Sequence, residues 1–376
     1  MKQYILLSIF VSLISGLSAQ QTITKSILHD GIEREYILYI PANYTGDEEV
    51  PIIFNFHGFG GNAQSQMEYG DFRMISDTAG FIIAHPQGTL FNGVPHWNVG
   101  GWTVGSTTDD VGFIDALLDT ISDNYNINLS RVYSTGMSNG GFFSFLLACQ
   151  LSDRITAIAS VTGSMTPETY NFCFPQHPTA ILQFHGTFDI VVPYGGADFS
   201  KPIDDVIDYW VDFNNCNTSP EIIYLPDIDP NDGSTVEHYR YTEGDNDVVT
   251  EHFKVIGGGH TWPGSSGGGA GTNNDINASV EIWKFFLRYQ LDINTDITQS
   301  NAVKKSIKVF PNPASNLLTI ETKNGDQVYY EIVSLLGTIM KKGKLSNKTT
   351  SIDIQSIPQG LYFVRVGKVT KRLMIE

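Results

Sequence analysis

The 376-residue chain is poor in cysteine and in positive charge, and it has no long apolar run. Three cysteines are too few for a disulfide scaffold, and no Cys/His/Asp set has the spacing of metal ligands. No metal or other cofactor is therefore expected. Only 23 basic residues stand against 40 acidic ones, a net charge of −17. That balance excludes a nucleic-acid binder, whose affinity rests on neutralising phosphates. No segment reaches the roughly 18 consecutive apolar residues of a membrane helix, so an integral membrane protein is not expected. What is present is 41% hydrophobic and 12% aromatic residues, enough to bury a core.

The few basic residues are unevenly placed. Residues 301–376 hold 12 of them with 5 acidic residues, net +7, whereas residues 1–300 are net −24. Such a reversal marks a compositional boundary near residue 300, and the length suits one large domain and one small one. At the N-terminus Lys2 precedes an apolar run over 4–14, small residues fill 15–19, and Ala19 before Gln20 is a cleavage point. This is the pattern of an export signal. The expected organisation is a signal peptide at 1–19, a large domain at 20–291, a polar linker at 292–305 and a small module at 306–376.

In the large domain, apolar strand candidates fall at 36–40, 51–56, 81–84, 131–134, 155–161, 179–184 and 249–256. Amphipathic stretches lie between them. Val111, Ile114, Leu117, Leu118, Ile121 and Tyr125 recur at helical spacing behind Asp109 and Asp110, a cap and a first-turn acid. Ile282, Phe285, Phe286 and Tyr289 give a last helix the same face. Strands apolar on both sides, alternating with helices, predict an α/β fold with a mostly parallel sheet flanked by helices. Reactive groups in such sheets sit at the carboxyl ends of the strands.

Three positions there carry chemistry. The strand at 131–134 runs into Gly136-Met137-Ser138-Asn139-Gly140-Gly141 and an apolar helix. This is G-x-S-x-G in its strand–turn–helix context. The strand at 179–184 ends in His185-Gly186-Thr187-Phe188-Asp189, and the strand at 249–256 in Gly257-Gly258-Gly259-His260. A serine hydroxyl needs an imidazole to take its proton and a carboxylate to orient that imidazole. Ser138, Asp189 and His260 supply these in the order serine, acid, histidine. A fourth segment, His57-Gly58-Phe59-Gly60-Gly61, follows the strand at 51–56. The tetrahedral oxyanion of acyl transfer needs two preset N–H donors, here the amides of Phe59 and Asn139. His57 reads as a structural hydrogen-bonder.

These segments, with Asp109-Asp110-Val111-Gly112-Phe113-Ile114 and Gly258-Gly259-His260-Thr261-Trp262-Pro263-Gly264, resemble the polyhydroxybutyrate depolymerase and feruloyl esterase group, related to the first carbohydrate esterase family. The resemblance covers about residues 25–291. It implies an α/β-hydrolase fold and hydrolysis of carboxylic esters by the triad Ser138, Asp189 and His260, without fixing the substrate. Two features depart from the family. His96 stands where many relatives carry a cysteine before the tryptophan here numbered Trp97. Many relatives also pair a cysteine at the position of Cys216 with one in the strand before the histidine loop, where this chain has only residues 239–242. Cys216 then lacks that partner. Cys149 and Cys173 are left either to bridge the elbow helix to the loop before strand 179–184 or to stay as buried thiols.

Trp97, Trp102 and Trp262 are the aromatic candidates for a substrate surface, with core packing the competing role. Trp262, two residues past His260, is the best placed. The run Asp227–Gly233 superficially resembles a calcium loop, but its glycine is one place late and position twelve is His238. A solvated hairpin turn is expected there. The glycine-rich run 264–271 reads as a mobile loop at the rim of the site.

Beyond the linker, short strand candidates at 306–310, 317–321, 328–333, 338–342, 351–354 and 361–366 predict a small antiparallel β-sandwich. Val309-Phe310-Pro311-Asn312-Pro313-Ala314 and Gly360-Leu361-Tyr362-Phe363-Val364-Arg365-Val366 are similar to the type A sorting domain of the type IX secretion system. That resemblance implies passage through the periplasm and across an outer membrane by its secretion machinery. The expected function is thus a secreted serine esterase acting on feruloyl or acetyl esters of plant polysaccharides. The alternatives are an extracellular polyester depolymerase of the poly(3-hydroxybutyrate) type and an inactive surface binding protein on a hydrolase scaffold.

Overall fold

The computed structural model describes residues 20–291, 308–321, 328–334, 339–345, 348–366 and 369–376. The expected signal peptide and the linker at 292–305 lie outside the described residues. Twelve strands belong to the large domain: β1 (Gln21–His29), β2 (Ile32–Ile40), β3 (Val50–Phe56), β4 (Ile82–Pro86), β5 (Thr89–Phe91), β6 (Val94–His96), β7 (Ile127–Met137), β8 (Ala157–Val161), β9 (Ala180–Gly186), β10 (Glu221–Tyr224), β11 (Thr235–Tyr241) and β12 (Thr250–Ile256). The helices are α1 (Ala63–Tyr69), α2 (Arg73–Ala79), α3 (Asp110–Ser122), α4 (Asn139–Gln150), α5 (Pro167–Asn171), α6 (Ile203–Phe213) and α7 (Ala278–Phe286). Ten strands form one sheet in the order β1-β2-β4-β3-β7-β8-β9-β12-β11-β10, and β5 and β6 form a separate hairpin. From β4 to β12 every pairing is parallel. The outer pairings are antiparallel.

The central strands are largely buried because both faces of the sheet are covered, and the polar Asn55, Gln183 and Glu251 are buried with them. Ile52, Phe54 and Phe56 turn to a core shared with Phe113 and Leu117 of α3, Phe143 of α4 and Trp210 of α6. Their neighbour Ile53 turns to the opposite core, with Tyr133 and with Ile282 and Phe286 of α7. The two-residue period of a strand thus distributes the helices over two layers. Helix α3 begins where its acids predict, with Asp109 accepting the Gly112 amide at 3.0 Å. A cap of this kind contributes about 1 kcal/mol. Asp110 goes further than a first-turn acid: it is buried, accepts from Arg34 at 2.6 Å and from the Asn98 amide at 2.8 Å.

Two edges were not anticipated. β1 is mostly exposed and so carries no continuous apolar signal. β10 and β11 close the other edge, and the 227–233 run connects them as part of an antiparallel hairpin.

In the C-terminal module the described strands pair antiparallel, with one isolated parallel bridge between Ala314 and Ile375. β13 (Lys308–Phe310), β14 (Leu317–Glu321), β15 (Val328–Ser334), β16 (Ile339–Leu345), β17 (Thr349–Asp353), β18 (Gly360–Val366) and β19 (Val369–Ile375) form two sheets, β13-β14-β17 and β16-β15-β18-β19. Leu318 and Ile320 of the first share a core with Ile332 and Val364 of the second.

Candidate active site

The parallel strands end together at one edge, and β7, β9 and β12 deliver the three residues read from the sequence. At the end of β7 the chain turns sharply into α4, and Ser138 sits in that turn at φ 54° and ψ −120°. This is a conformation that a residue with a Cβ rarely adopts. The turn is possible only because its flanks are glycine. A Cβ on Gly140 would lie 2.2 Å from the Phe56 carbonyl oxygen, and one on Gly136 would lie 2.7 Å from the same atom. The Ser138 amide donates to the Val161 carbonyl at 2.8 Å, which fixes the turn to the end of β8.

Asp189 and His260 are brought together by two neighbouring parallel strands. Asp189 Oδ2 lies 2.7 Å from His260 Nδ1, while Oδ1 accepts the amides of Val191 and Val192 at 2.9 Å each. Burial alone would raise the Asp189 carboxyl. The hydrogen bond and charge of His260, with lesser help from His185 and the Val192 amide, hold it below the ordinary carboxylate value. An ionised Asp189 can only accept, so His260 carries its proton on Nδ1 and keeps a lone pair on Nε2. That is the tautomer a general base requires. A second imidazole, His185, lies against the same carboxylate, with Nε2 3.5 Å from Oδ2. Burial lowers its pKa, and its Nε2–H donates to the Val192 carbonyl at 2.8 Å. Its position just ahead of Gly186 at the end of β9 was the available sign of this contact.

The loop after β3 packs directly on the elbow: a Cβ on Gly58 would stand 3.3 Å from that of Ser138. His57 holds this loop. Its Nε2 accepts the Gly88 amide at 3.0 Å, which leaves the proton on Nδ1 to bond the Gly58 carbonyl at 2.8 Å. Burial lowers its pKa to about 4, so it stays neutral in this role. Among the described residues, neither the Phe59 amide nor the Asn139 amide has an intramolecular acceptor. For Asn139 this follows from its place in the first turn of α4, where N–H groups have no helical partner. Its side chain is fixed by Trp97, whose amide donates to Oδ1 at 2.7 Å and whose carbonyl accepts from Nδ2 at 3.1 Å.

Two of the three tryptophans are not at a surface. Trp97 is fully buried: its Nε1 donates to the His57 carbonyl at 3.0 Å and its ring stacks on Phe143. Trp262 is 1% exposed, edge-on to Phe72, with Nε1 bonded to Ser279 Oγ at 3.1 Å. Both brace the site from behind, because each indole N–H has found a buried acceptor and each ring a core partner. Trp102 is half-buried, edge-on to Phe142 and Phe199.

The open space beside the elbow is a cleft of about 510 Å³, whose walls include Gly58, Phe59, Tyr69, Met137 and Gly267. Tyr69 closes α1 and had no motif to mark it, whereas Met137 lies inside the G-x-S-x-G segment just before Ser138. Gly267 belongs to the glycine-rich run expected at the rim. His29, Asp30 and Asp109, whose ligand atoms lie within 4.8 Å of one another, are at the β1–β2 turn and the start of α3. They take no part in this site. Cys149 of α4 is joined to Cys173, and Cys216 is free and buried.

Residues 308–376 match the family described as a secretion system C-terminal sorting domain. A sorting domain of this kind marks a secreted or cell-surface protein. Elsewhere the chain is 25% identical over 272 residues to a bifunctional acetylxylan esterase/xylanase of Neocallimastix patriciarum, covering 72% of this chain and 36% of that protein. It is 28% identical over 273 residues to feruloyl esterase D of Neurospora crassa, covering 72% of this chain and 86% of that one. Feruloyl and acetylxylan esterases are homologues of this chain. The chain spans between 36% and 64% of the length of several curated relatives that it matches. The solved acetyl xylan esterase from Aspergillus awamori superposes with a TM-score of 0.50 at 14% identity, covering 70% of this chain and 98% of that one. The large domain has the α/β-hydrolase fold. Among the described residues no helix is long and apolar enough to cross a membrane.

Proposed function

We propose that the chain is a secreted serine carboxylic ester hydrolase acting on feruloyl or acetyl esters of plant polysaccharides. The observation that carries this reading is the 2.7 Å contact between Asp189 and His260 at the sheet edge where Ser138 is held in a strained turn. In the proposed reaction Ser138 Oγ attacks the ester carbonyl as His260 Nε2 takes its proton. Asp189 stabilises the imidazolium, and the amides of Phe59 and Asn139 hold the oxyanion. Collapse of the tetrahedral species expels the sugar alcohol, which receives the proton from His260. Water, activated by the same imidazole, then adds to the acyl-enzyme, and its collapse releases the acid and restores Ser138. Only this chain's residues and water take part in these steps. Trp102, half-exposed, is the one tryptophan of the three that can still meet a substrate.

The esterase relatives favour polysaccharide esters over a polyester. Residues 1–19 are proposed as the export signal, 20–291 as the catalytic domain, 292–305 as a linker and 306–376 as the module read by the outer-membrane machinery after transit through the periplasm. Hydrolysis of a chromogenic short-chain ester, and acid release from feruloylated or acetylated xylan and from polyhydroxybutyrate, test the reading. Ser138→Ala is expected to lower turnover by at least about a thousandfold with the fold intact. Comparable activity in that variant would falsify the nucleophile assignment. Release from polyhydroxybutyrate alone would replace the substrate, and no hydrolysis of any ester would leave a binding protein.

A further inference from the structure

The cleft beside the elbow is lined in part by Tyr69, whose hydroxyl the proposed chemistry does not use. The Tyr69 hydroxyl accepts the Trp262 amide at 3.1 Å. Having accepted there, it keeps its own proton, which has no acceptor among the described residues. Burial raises its pKa, so the group remains a neutral donor. Its position is rigidly supported. Asn55, near the end of β3, donates from Nδ2 to the Gly70 carbonyl at 2.9 Å, and its Oδ1 accepts from Gln66 Nε2 at 2.8 Å. Gly70 has no room for a side chain, since a Cβ there would stand 3.1 Å from the Trp262 ring and 2.8 Å from Gln66 Nε2. Tyr69 is thus held between the strand that leads to the oxyanion loop and the segment that carries His260.

The surroundings suit an aromatic group. Phe59, 44% exposed, borders the cleft with Met137 and Tyr69, beside the polar Ser65, Glu68 and Ser266. Its volume of about 510 Å³ falls within the roughly 300–1,000 Å³ of small-molecule sites. An acetyl group would leave most of that space to water, whereas an aromatic acyl group can cover the apolar walls.

The geometry points to Tyr69 as a specificity-determining residue that donates a hydrogen bond to a ring oxygen, phenol or methoxy, of an aromatic acyl group. This rests on the esterase reading and narrows it from acyl esters in general to oxygen-substituted hydroxycinnamoyl esters. The cost of the mismatch gives the preference its direction. A ring without oxygen covers the Tyr69 hydroxyl without accepting its proton, and an unpaired donor of that kind is penalised.

The test compares kcat/KM for methyl ferulate and methyl cinnamate, which differ only in the hydroxyl and methoxy substituents of the ring, in the full chain and in Tyr69→Phe. Wild type is expected to favour the ferulate by about tenfold, and the variant to bring the ratio close to unity. Ring substituents alter the intrinsic reactivity of the ester equally for both proteins, so the double ratio isolates the contact. Tyr69→Phe also removes the acceptor of the Trp262 amide, and damage passed to His260 would lower both esters alike and leave the ratio unchanged. An unchanged ratio, or turnover of 4-nitrophenyl acetate with neither cinnamoyl ester accepted, overturns the assignment to Tyr69 alone. Inactivity on all three esters overturns the esterase reading with it.

Discussion

The strained turn at Ser138 is expected to lower stability, and two variants can measure the strain. At φ 54° and ψ −120°, Ser138 occupies a region that costs a residue with a Cβ about 1–3 kcal/mol. Ser138→Ala removes the hydroxyl proposed as nucleophile but keeps the Cβ, so it keeps the strain. Ser138→Gly removes both. Glycine brings a penalty of its own, about 0.4–1 kcal/mol, because it gives the unfolded chain more freedom. The remainder predicts a glycine variant more stable than the alanine variant by about 1–2 kcal/mol, with both inactive. For a domain of this size the gain amounts to about 2–4 °C in Tm. In urea the midpoint should rise at constant slope, since the surface exposed on unfolding is unchanged. The comparison is made between the two variants so that loss of the hydroxyl cancels. A glycine variant as stable as the alanine variant, or less stable, would mean that the elbow stores no strain in its backbone and that Gly136 and Gly140 have relieved it.

Two further outcomes can be checked. Glu251 is buried, which alone would raise its carboxyl, but hydrogen bonds from His238 and Arg288 bring it from 4.5 to about 2. Because the folded value is the lower one, its contribution is complete above about pH 4.5 and is lost as the pH falls toward 2. Its size is about 3 kcal/mol, and Glu251→Gln should flatten urea stability across that window; equal acid dependence in both proteins would sink the argument. A chain ended after Leu291, whose amide donates to the Ser130 carbonyl at 2.8 Å, is expected to keep its turnover of a soluble ester. Loss of turnover in that purified protein would show that the C-terminal strands support the large domain.

Much of this arrangement is readable in the chain because the groups concerned follow strands with two buried faces. The runs around 51–56, 131–134, 179–184 and 249–256 are each built around apolar residues, so their ends, and the candidate residues just past them, stand out. The edges are less legible for the same reason. β1 has one face in water and few apolar residues, and the readable sign was its Asp30-Gly31 turn, where both residues adopt positive φ as tight hairpins demand. The tryptophans show a different limit. A sequence places Trp97 and Trp262 beside the reactive groups but says nothing of which side of the chain their rings take. Each indole N–H is satisfied by a group far away in the sequence, the His57 carbonyl and Ser279 Oγ. Tyr69 was invisible because its role depends on the Trp262 amide, 193 residues away.

β8 supplies no reacting group, yet it lies between the strand of Ser138 and the strand of Asp189. Its end is tied to both sides: the Val161 carbonyl receives the Ser138 amide at 2.8 Å, and the Thr162 amide donates to the Phe184 carbonyl at 2.9 Å. Strands in a sheet stand about 4.8 Å apart, so two steps separate the strand ends before Ser138 and Asp189 by about 10 Å before any side chain is counted. β8 is therefore a ruler, with a length set by backbone hydrogen bonds and not by sequence. Loops above the sheet can therefore differ in length without altering this span, because it is measured below them.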